Sequence, residues 1–316
     1  MTPSQLRAFT SVVRNGSVKA AAAELNLSES AVSMHVAQLR KSLGDQLFVR
    51  TKSGLAFTRG GLRLASRAVE ILGLQEQTVT EVGEAADGRR VLRLGVESLF
   101  AEHAAPGLIE LFTQRANDLE VELSVHLVEQ FPALLAARAI DLAIGPGPGL
   151  SAPAIHRPFL AFDVLVVGSP THPLAGRRVS EAELRSALWF LGPTAIGGTG
   201  VVPSMLAKLG VPEGNQRIFQ SEAAASEETK RSEGLSLAVQ FAIAAEINAE
   251  RLVKIDGPHC RMRGTWGATA MPYDPMSPTA ELLQLVTTPR AMQAMLRGSG
   301  VPVKHFRPSV YVTLWN

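Results

Sequence analysis

Residues 17–50 read SVKAAAAELNLSESAVSMHVAQLRKSLGDQLFVR, and their spacing predicts two short helices that meet at a tight turn and lead into a basic hairpin. Ser17 and Ser28 are N-caps, each placed where a hydroxyl accepts a free backbone N–H. The run Ala20-Ala21-Ala22-Ala23 lets another helix approach closely, and Leu25 and Leu27 bracket the turn at Asn26. Val32, Val36, Leu39 and Leu43 recur at helical spacing and form the buried stripe of the second helix. Its opposite face looks outward and carries Glu29, Ser30, Ser33, Met34, Ala37 and Gln38, with Arg40 and Lys41 near the end. A helix that presents short polar groups in its first turns fits a DNA major groove. Ser28, Ser30, Ser33 and Gln38 are the groups able to hydrogen-bond to bases or phosphates.

Upstream, Thr2, Pro3 and Gln5 supply an N-cap, a first-turn proline and an N3 amide. The helix they start carries Leu6, Phe9, Val12 and Val13 on one face until Asn15-Gly16 stops it. Downstream, Gly44 ends the second helix of the pair, and Leu47 to Arg50 pair with Leu55 to Thr58 around Thr51-Lys52-Ser53-Gly54. Arg50 and Lys52 on such a wing lie along phosphates or in the minor groove. Residues 1–60 hold 8 Lys or Arg against 3 Asp or Glu, a net of +5, whereas residues 61–316 hold 23 against 26, a net of −3. The overall +2 therefore conceals a basic head. Phosphate neutralisation supplies most sequence-independent affinity, so a modestly charged head calls for two copies on the DNA.

From Arg59 to Ala86 the chain has no proline and reads as one long helix, about 42 Å in length at ~1.5 Å per residue. Leu62, Ala65, Val69, Leu72 and Val79 fall on a heptad seam that Glu76 interrupts. Such a helix cannot bury its stripe alone. Asp87-Gly88 then gives a hinge. Beyond it, Val91 to Val96, Val121 to Val128, Ile140 to Gly145, Asp163 to Val167, Arg217 to Ser221 and Leu235 to Val239 read as strands. Helical stretches such as Ala105 to Arg115 and Val201 to Leu209 alternate with them, which implies an α/β unit with a mostly parallel sheet. At this length two sheets fit better than one. Pro146-Gly147-Pro148-Gly149 is a loop near the middle.

The first sixty residues resemble the winged helix-turn-helix of LysR-type transcriptional regulators. The resemblance rests on Gln5-Leu6-Arg7-Ala8-Phe9, Gly16-Ser17, Ala21-Ala22, Leu25, Ser28-Glu29-Ser30-Ala31-Val32-Ser33, Leu39, Leu43-Gly44, Leu47-Phe48, Arg50, Thr58 and Gly61. Glu29 and Met34 depart from the donors usual in that family, so its base contacts do not transfer at those two positions. Glu29 either accepts from a cytosine amino group or supports the helix N-terminus by its charge. The resemblance continues in Leu92-Arg93-Leu94-Gly95-Val96, Ala139-Ile140-Asp141-Leu142-Ala143-Ile144, His172-Pro173-Leu174 and Glu233-Gly234-Leu235-Ser236-Leu237. These look like landmarks of the family's effector domain, which is similar to periplasmic binding proteins: two α/β lobes, two crossover strands and a small ligand in the cleft.

The resemblance implies a winged helix-turn-helix over 1–58, a linker helix and hinge over 59–88, and an effector domain over 89–316. Lobe one takes 91–163 and 268–316, and lobe two takes 164–267. The linker helix pairs with its mate, giving a dimer or tetramer on double-stranded DNA, with contact to RNA polymerase open. In open α/β sheets ligands sit beyond the carboxyl ends of strands, at helix N-termini. Ser98 with Leu99, Thr199 with Gly200, and Ser221 occupy such places and match positions where the family contacts effectors; Gln130 and Phe131 follow another strand and line the same cleft. Each hydroxyl has a plainer role open to it, as an N-cap. Glu97 and Glu222 lie beside the site, so they either repel an anion or receive a cationic group.

Other chemistries find little support. The Gly197-Gly198-Thr199-Gly200 loop lacks the Lys of a phosphate-binding loop, and no Gly-x-Ser-x-Gly or His-Glu-x-x-His occurs. His259-Cys260 is an isolated pair without zinc-site partners. One cysteine allows no internal disulfide. The start has no signal-peptide pattern, and no run of ~18 apolar residues marks a membrane span. A cytoplasmic regulator without cofactor or metal is the expectation. The alternatives are another winged-helix sensor, such as an oxyanion-responsive one, and an α/β enzyme with a fused helical domain.

Overall fold

A computed structural model describes residues 1–51, 54–86, 88–115, 118–147 and 154–296. Lys52 and Asp87 thus lie outside the described residues, as do Pro148, Gly149 and the last part of the expected first lobe, 297–316. The described chain forms two compact units, the first centred on Met1–Ala86.

In the first unit, α1 (Pro3–Asn15), α2 (Val18–Leu25) and α3 (Glu29–Leu43) pack around Leu6, Phe9, Val12, Ala21, Val32, Val36 and Leu39. The expected caps are present. Thr2 and Gln5 bond reciprocally at the start of α1, Ser17 accepts from the Ala20 N–H, and Ser28 accepts from the Ala31 N–H at 3.1 Å. Asn26 (φ 52°) and Gly44 (φ 64°) close α2 and α3 in left-handed backbone, a conformation that Asn tolerates and Gly adopts freely.

Two expectations for α3 need correction. Leu43 is 45% exposed, because it sits on the last turn, where the stripe runs past the core formed with α1 and α2. Arg40 turns inward: its Nε donates to the Gln46 carbonyl and its Nη2 to the Phe48 carbonyl, each at 2.7 Å. Its guanidinium lies 4.7 Å from the Phe48 ring centroid, so it braces the wing and does not extend the outward face.

The wing is an antiparallel pair, β1 (Phe48–Thr51) and β2 (Gly54–Phe57), with Phe48 opposite Phe57 and Arg50 opposite Leu55. Asp45 fixes its base by accepting from the Leu47 N–H and the Thr58 hydroxyl, both at 2.6 Å. Thr58 in turn accepts from the Gly61 N–H at 2.8 Å, which starts α4 (Arg59–Ala86), a helix of 28 residues. The heptad seam divides along this helix. Ala65 and Leu72 pack against the head beside the buried Ala68, while Leu62, Val69 and Val79 are exposed together with Ile71, Leu74 and Val82.

The second unit begins with β3 (Arg90–Val96), α5 (Ser98–His103), α6 (Ala105–Thr113), β4 (Leu119–Val125), α7 (Phe131–Ala136) and β5 (Leu142–Gly145). These make the first lobe, in which β3 pairs in parallel with both β4 and β5. The 14-residue β6 (Ile155–Gly168) leaves it. There follow α8 (Glu181–Ser186), β7 (Trp189–Leu191), α9 (Val201–Leu209), β8 (Gln216–Ile218), α10 (Glu222–Arg231), β9 (Ser236–Val239), α11 (Ala244–Asn248) and β10 (Val253–Lys254). Then β11 (Arg261–Ala270) returns, and α12 (Pro278–Leu285) and α13 (Pro289–Leu296) complete the first lobe. The return is tight: a Cβ added at Gly107 on α6 would lie 2.2 Å from the Ala294 carbonyl oxygen of α13.

The sheet is mixed, not mostly parallel. The strand order is β10-β6-β11-β5-β3-β4 with β9 also on β6, and β7 and β8 form a separate parallel pair. Among the described residues, the antiparallel pairings of this unit all involve β6 or β11, since the chain leaves the first lobe along one and comes back along the other. β6 pairs with β9 from Val164 onward, and β11 pairs with β5 from Gly267 onward. Where they cross, Trp266 stacks on Phe162 at 4.0 Å and meets Phe100 edge-on at 5.1 Å. The sequence expectation omitted β7, β10 and β11.

Candidate functional site

On α3 the outward residues Ser28, Glu29, Ser30, Ser33, Met34, Ala37 and Gln38 are all exposed. The Ser28 and Ser30 hydroxyls lie 2.8 Å apart, so cap and face are linked at the start of the helix. Glu29 stands in the first turn, where a negative charge complements the helix dipole. Gln38 accepts a hydrogen bond from Gln5 Nε2 at 2.9 Å, a contact between α1 and α3 that the sequence reading did not contain. Arg50 lies on β1, and Lys52 falls outside the described residues. Arg14, Asn15 and Ser11 of α1 all bond to Glu24 of α2, with Ser11 Oγ at 2.7 Å. This network holds the first two helices together behind the face.

In the second unit the expected effector residues separate into two groups. Leu99 and Phe131 are 1% and 0% exposed, and their side chains belong to hydrophobic clusters. Each adjoins a polar position, Ser98 or Gln130, but its side chain packs inside the first lobe. Ser221 is the N-cap of α10 and accepts from the Ala224 N–H at 3.1 Å. Gln130 accepts from the Leu127 N–H at 3.1 Å, closing its own turn. Gly200 precedes α9 with φ 111°.

Ser98 and Thr199 are drawn into bridges between the lobes by two carboxylates that the sequence did not single out. Glu102 on α5 accepts from the Glu222 and Ala223 N–H groups at the start of α10, each at 2.8 Å, and from the Ser98 hydroxyl at 3.3 Å. Glu129 accepts from the Thr199 N–H at 2.8 Å and the Thr199 hydroxyl at 3.0 Å. The first-lobe carboxylates thus occupy the backbone donors that a helix N-terminus or glycine-rich loop offers to an anion. Some desolvation raises the Glu129 pKa, but hydrogen bonds including those from Thr199 and the Gly198 backbone outweigh it and hold the carboxyl below its usual range.

Two further carboxylates are buried behind these bridges. Glu97 is 4% exposed and accepts from the Trp266 indole N–H. Glu222 is 9% exposed and accepts from the Thr194 N–H at 3.1 Å and hydroxyl at 2.7 Å. Burial pushes the Glu97 carboxyl up to about 7, against the Trp266 bond that lowers it and with the charge of Glu222 that raises it. Burial likewise pushes Glu222 to about 7 against its Thr194 bonds, with Glu102 adding to the rise. Sequence proximity to Ser98 and Ser221 identified this second pair. Glu102 and Glu129 carried no such signal, because their partners lie 120, 121 and 70 positions away.

Elsewhere the chemistry is quiet. Among the described residues no group of three His, Cys, Asp or Glu could hold a metal ion, and no helix is long and apolar enough to cross a membrane. Cys260 is buried, and desolvation pushes its thiol up to about 11. A depression of about 210 Å³ on the second lobe is lined by His172, Pro173, Leu174, Glu183 and Glu233, among others. His172 is already satisfied there: its Nδ1 accepts from the Leu174 N–H and its Nε2 faces the Glu233 carbonyl.

Comparison with known proteins agrees with both units. Residues 3–62 match the bacterial regulatory helix-turn-helix protein family of lysR type, and residues 85–286 match the LysR substrate binding domain. An uncharacterised HTH-type transcriptional regulator of Mycobacterium tuberculosis is 55% identical over 100% of both chains. A RuBisCO operon transcriptional regulator of Allochromatium vinosum is 30% identical over 80% of this chain and 84% of its own. The fold is similar to that of ArgP from Mycobacterium tuberculosis, with a TM-score of 0.57 at 20% identity over 91% of this chain and 96% of that one. A full-length OxyR from Pseudomonas aeruginosa gives 0.52 at 18% identity over 94% of each. The chain is a transcriptional regulator and not an enzyme; it belongs to the LysR family of DNA-binding regulators, with an N-terminal winged helix-turn-helix and a two-lobed effector-binding domain.

Proposed function

We propose that this regulator binds double-stranded DNA as a homodimer, or as a tetramer built from dimers, and that a small-molecule effector in the cleft between its lobes resets that binding. The head spans 1–58 and the linker 59–88; the lobes divide at 163/164 and 267/268. Ser28, Glu29, Ser30, Ser33, Met34 and Gln38 face the major groove, with Arg50 and Lys52 on phosphates or in the minor groove. Leu62, Val69 and Val79 form the seam with a second copy, and Ala65 and Leu72 seat the linker on the head. The effector meets Ser98, Thr199, Gly200 and Ser221, with Gln130 at the rim. Such a protein works in the cytoplasm, and RNA polymerase is a further partner of the DNA-bound form.

The observation that carries effector control is the pair of carboxylate bridges, Glu102 to the start of α10 and Glu129 to Thr199. Two lobes joined by two strands and a few hydrogen bonds have a geometry that a ligand making competing bonds can shift, by as much as its affinity for the two arrangements differs. Footprinting of the DNA upstream of the regulator's gene tests the reading. Full-length protein should protect a pseudo-palindrome, and the protected region should change with an effector found by a metabolite thermal-shift screen. Ser98→Ala with Thr199→Ala should weaken effector binding while leaving unliganded DNA affinity in place. Sequence-specific protection by a chain lacking residues 1–87 would sink the proposal.

A further inference from the structure

We infer that Gln5, on the first helix and outside the recognition face, is a positioning residue that fixes the amide of Gln38 in one orientation for DNA, with its oxygen toward the first helix and its N–H groups free to donate. This rests on the proposal that Gln38 faces DNA. The orientation of a side-chain amide follows from its partners, and here one partner is unambiguous. The Thr2 backbone N–H can only donate, and it lies 2.9 Å from Gln5 Oε1. That oxygen must accept, which leaves Gln5 Nε2 as the donor to Gln38, 2.9 Å away. Gln38 therefore turns its own carbonyl oxygen toward Gln5, and this exposed side chain keeps its two N–H donors and the second lone pair of that oxygen for DNA.

The consequence concerns which DNA atoms Gln38 can read. A glutamine that specifies adenine does so bidentately, accepting from N6 with its oxygen while donating to N7. Gln5 takes one of the two lone pairs of the Gln38 oxygen, which sets the orientation of the amide before DNA arrives and leaves the second lone pair able to accept. In that fixed orientation the N–H groups donate to a phosphate oxygen, to guanine, or to adenine N7 with N6 donating to the second lone pair. Because the same Gln5 oxygen belongs to the capping box of α1, the start of the first helix and the presentation of the third are fixed by one side chain.

Gln5→Glu isolates the effect. A glutamate at N3 keeps the capping box, since its carboxylate still accepts from the Thr2 N–H, but it cannot donate to Gln38. Full-length wild type, Gln38→Ala, Gln5→Glu and the double variant would be compared by titration on the selected operator and by selection from a random duplex library. Gln38→Ala should weaken binding roughly fivefold per head, the size of one net hydrogen bond; full affinity for it would overturn the DNA-facing reading of Gln38. If Gln38→Ala does weaken binding, Gln5→Glu should cost a similar factor alone and distinctly less on top of Gln38→Ala. An equal loss in both backgrounds means that the added charge acts by itself and overturns the inference, as does no loss at all. A changed preference at one base position places the contact on a base, and the base lost from the selected sites tells guanine from adenine. A sequence-independent loss with a shallower salt dependence places it on phosphate.

Discussion

The substitution Glu97→Gln should stabilise the effector domain at alkaline pH and leave it nearly unchanged in acid. Glu97 is 4% exposed and bonded to the Trp266 indole, and burial moves its carboxyl from an ordinary 4.5 to about 7. At low pH both folded and unfolded chains hold the proton, so the group contributes no penalty. As pH rises above the ordinary value the unfolded chain releases its proton first and the folded chain keeps it, so stability falls. The fall is complete once pH exceeds about 7, where the folded carboxyl also ionises. At ~1.36 kcal/mol for each tenfold change in proton affinity, the loss is about 3 kcal/mol. A glutamine side chain in this place would keep an oxygen for the indole and carry no charge to desolvate.

Urea unfolding of the full-length chain, followed by tryptophan fluorescence, reports the relevant domain because Trp189 and Trp266 are both buried in it. The variant should exceed wild type by about 3 kcal/mol near pH 8, equivalent to roughly 6–12 °C in Tm for a domain of this size. Near pH 4 the two should coincide. A variant that is equally destabilised at both pH values would refute the reasoning, because Glu97 would then act through a hydrogen bond that only a carboxylate can make.

Two further outcomes follow from the first unit. Arg40→Ala removes two bonds to backbone carbonyls and a cation–π contact on Phe48, and should cost the head about 1–3 kcal/mol in thermal or urea unfolding; a loss of DNA affinity at unchanged stability would show that Arg40 reaches DNA after all. Val79→Glu places a charge on a residue that is 69% exposed. It should leave the folded monomer intact but raise the concentration at which dimers form in sedimentation, and an unchanged association constant would move the interface elsewhere.

The sequence determined what depends on neighbours a few positions apart. Thr2, Ser17 and Ser28 cap where hydroxyls precede apolar stripes, Gly44 stops α3, and Arg59 to Ala86 form one helix because nothing in that stretch breaks it. These local rules, with the motif resemblance, were enough to assign the family and the winged head. They failed where a residue's role is set by what arrives from far along the chain. Periodicity placed Arg40 on the outward face, but the wing's two carbonyls and the Phe48 ring draw it inward. Leu99 and Phe131 adjoin polar positions yet pack inside the first lobe, a difference of one helical step. The strand β11, with Arg261, Gly264 and Gly267 in it, reads as loop until β6 is beside it. Above all, the bridges of Glu102 and Glu129 and the Gln5–Gln38 pair join residues between 33 and 121 positions apart. A hydrogen bond is fixed by distance in space, and only the folded chain decides which carboxylate reaches which N–H.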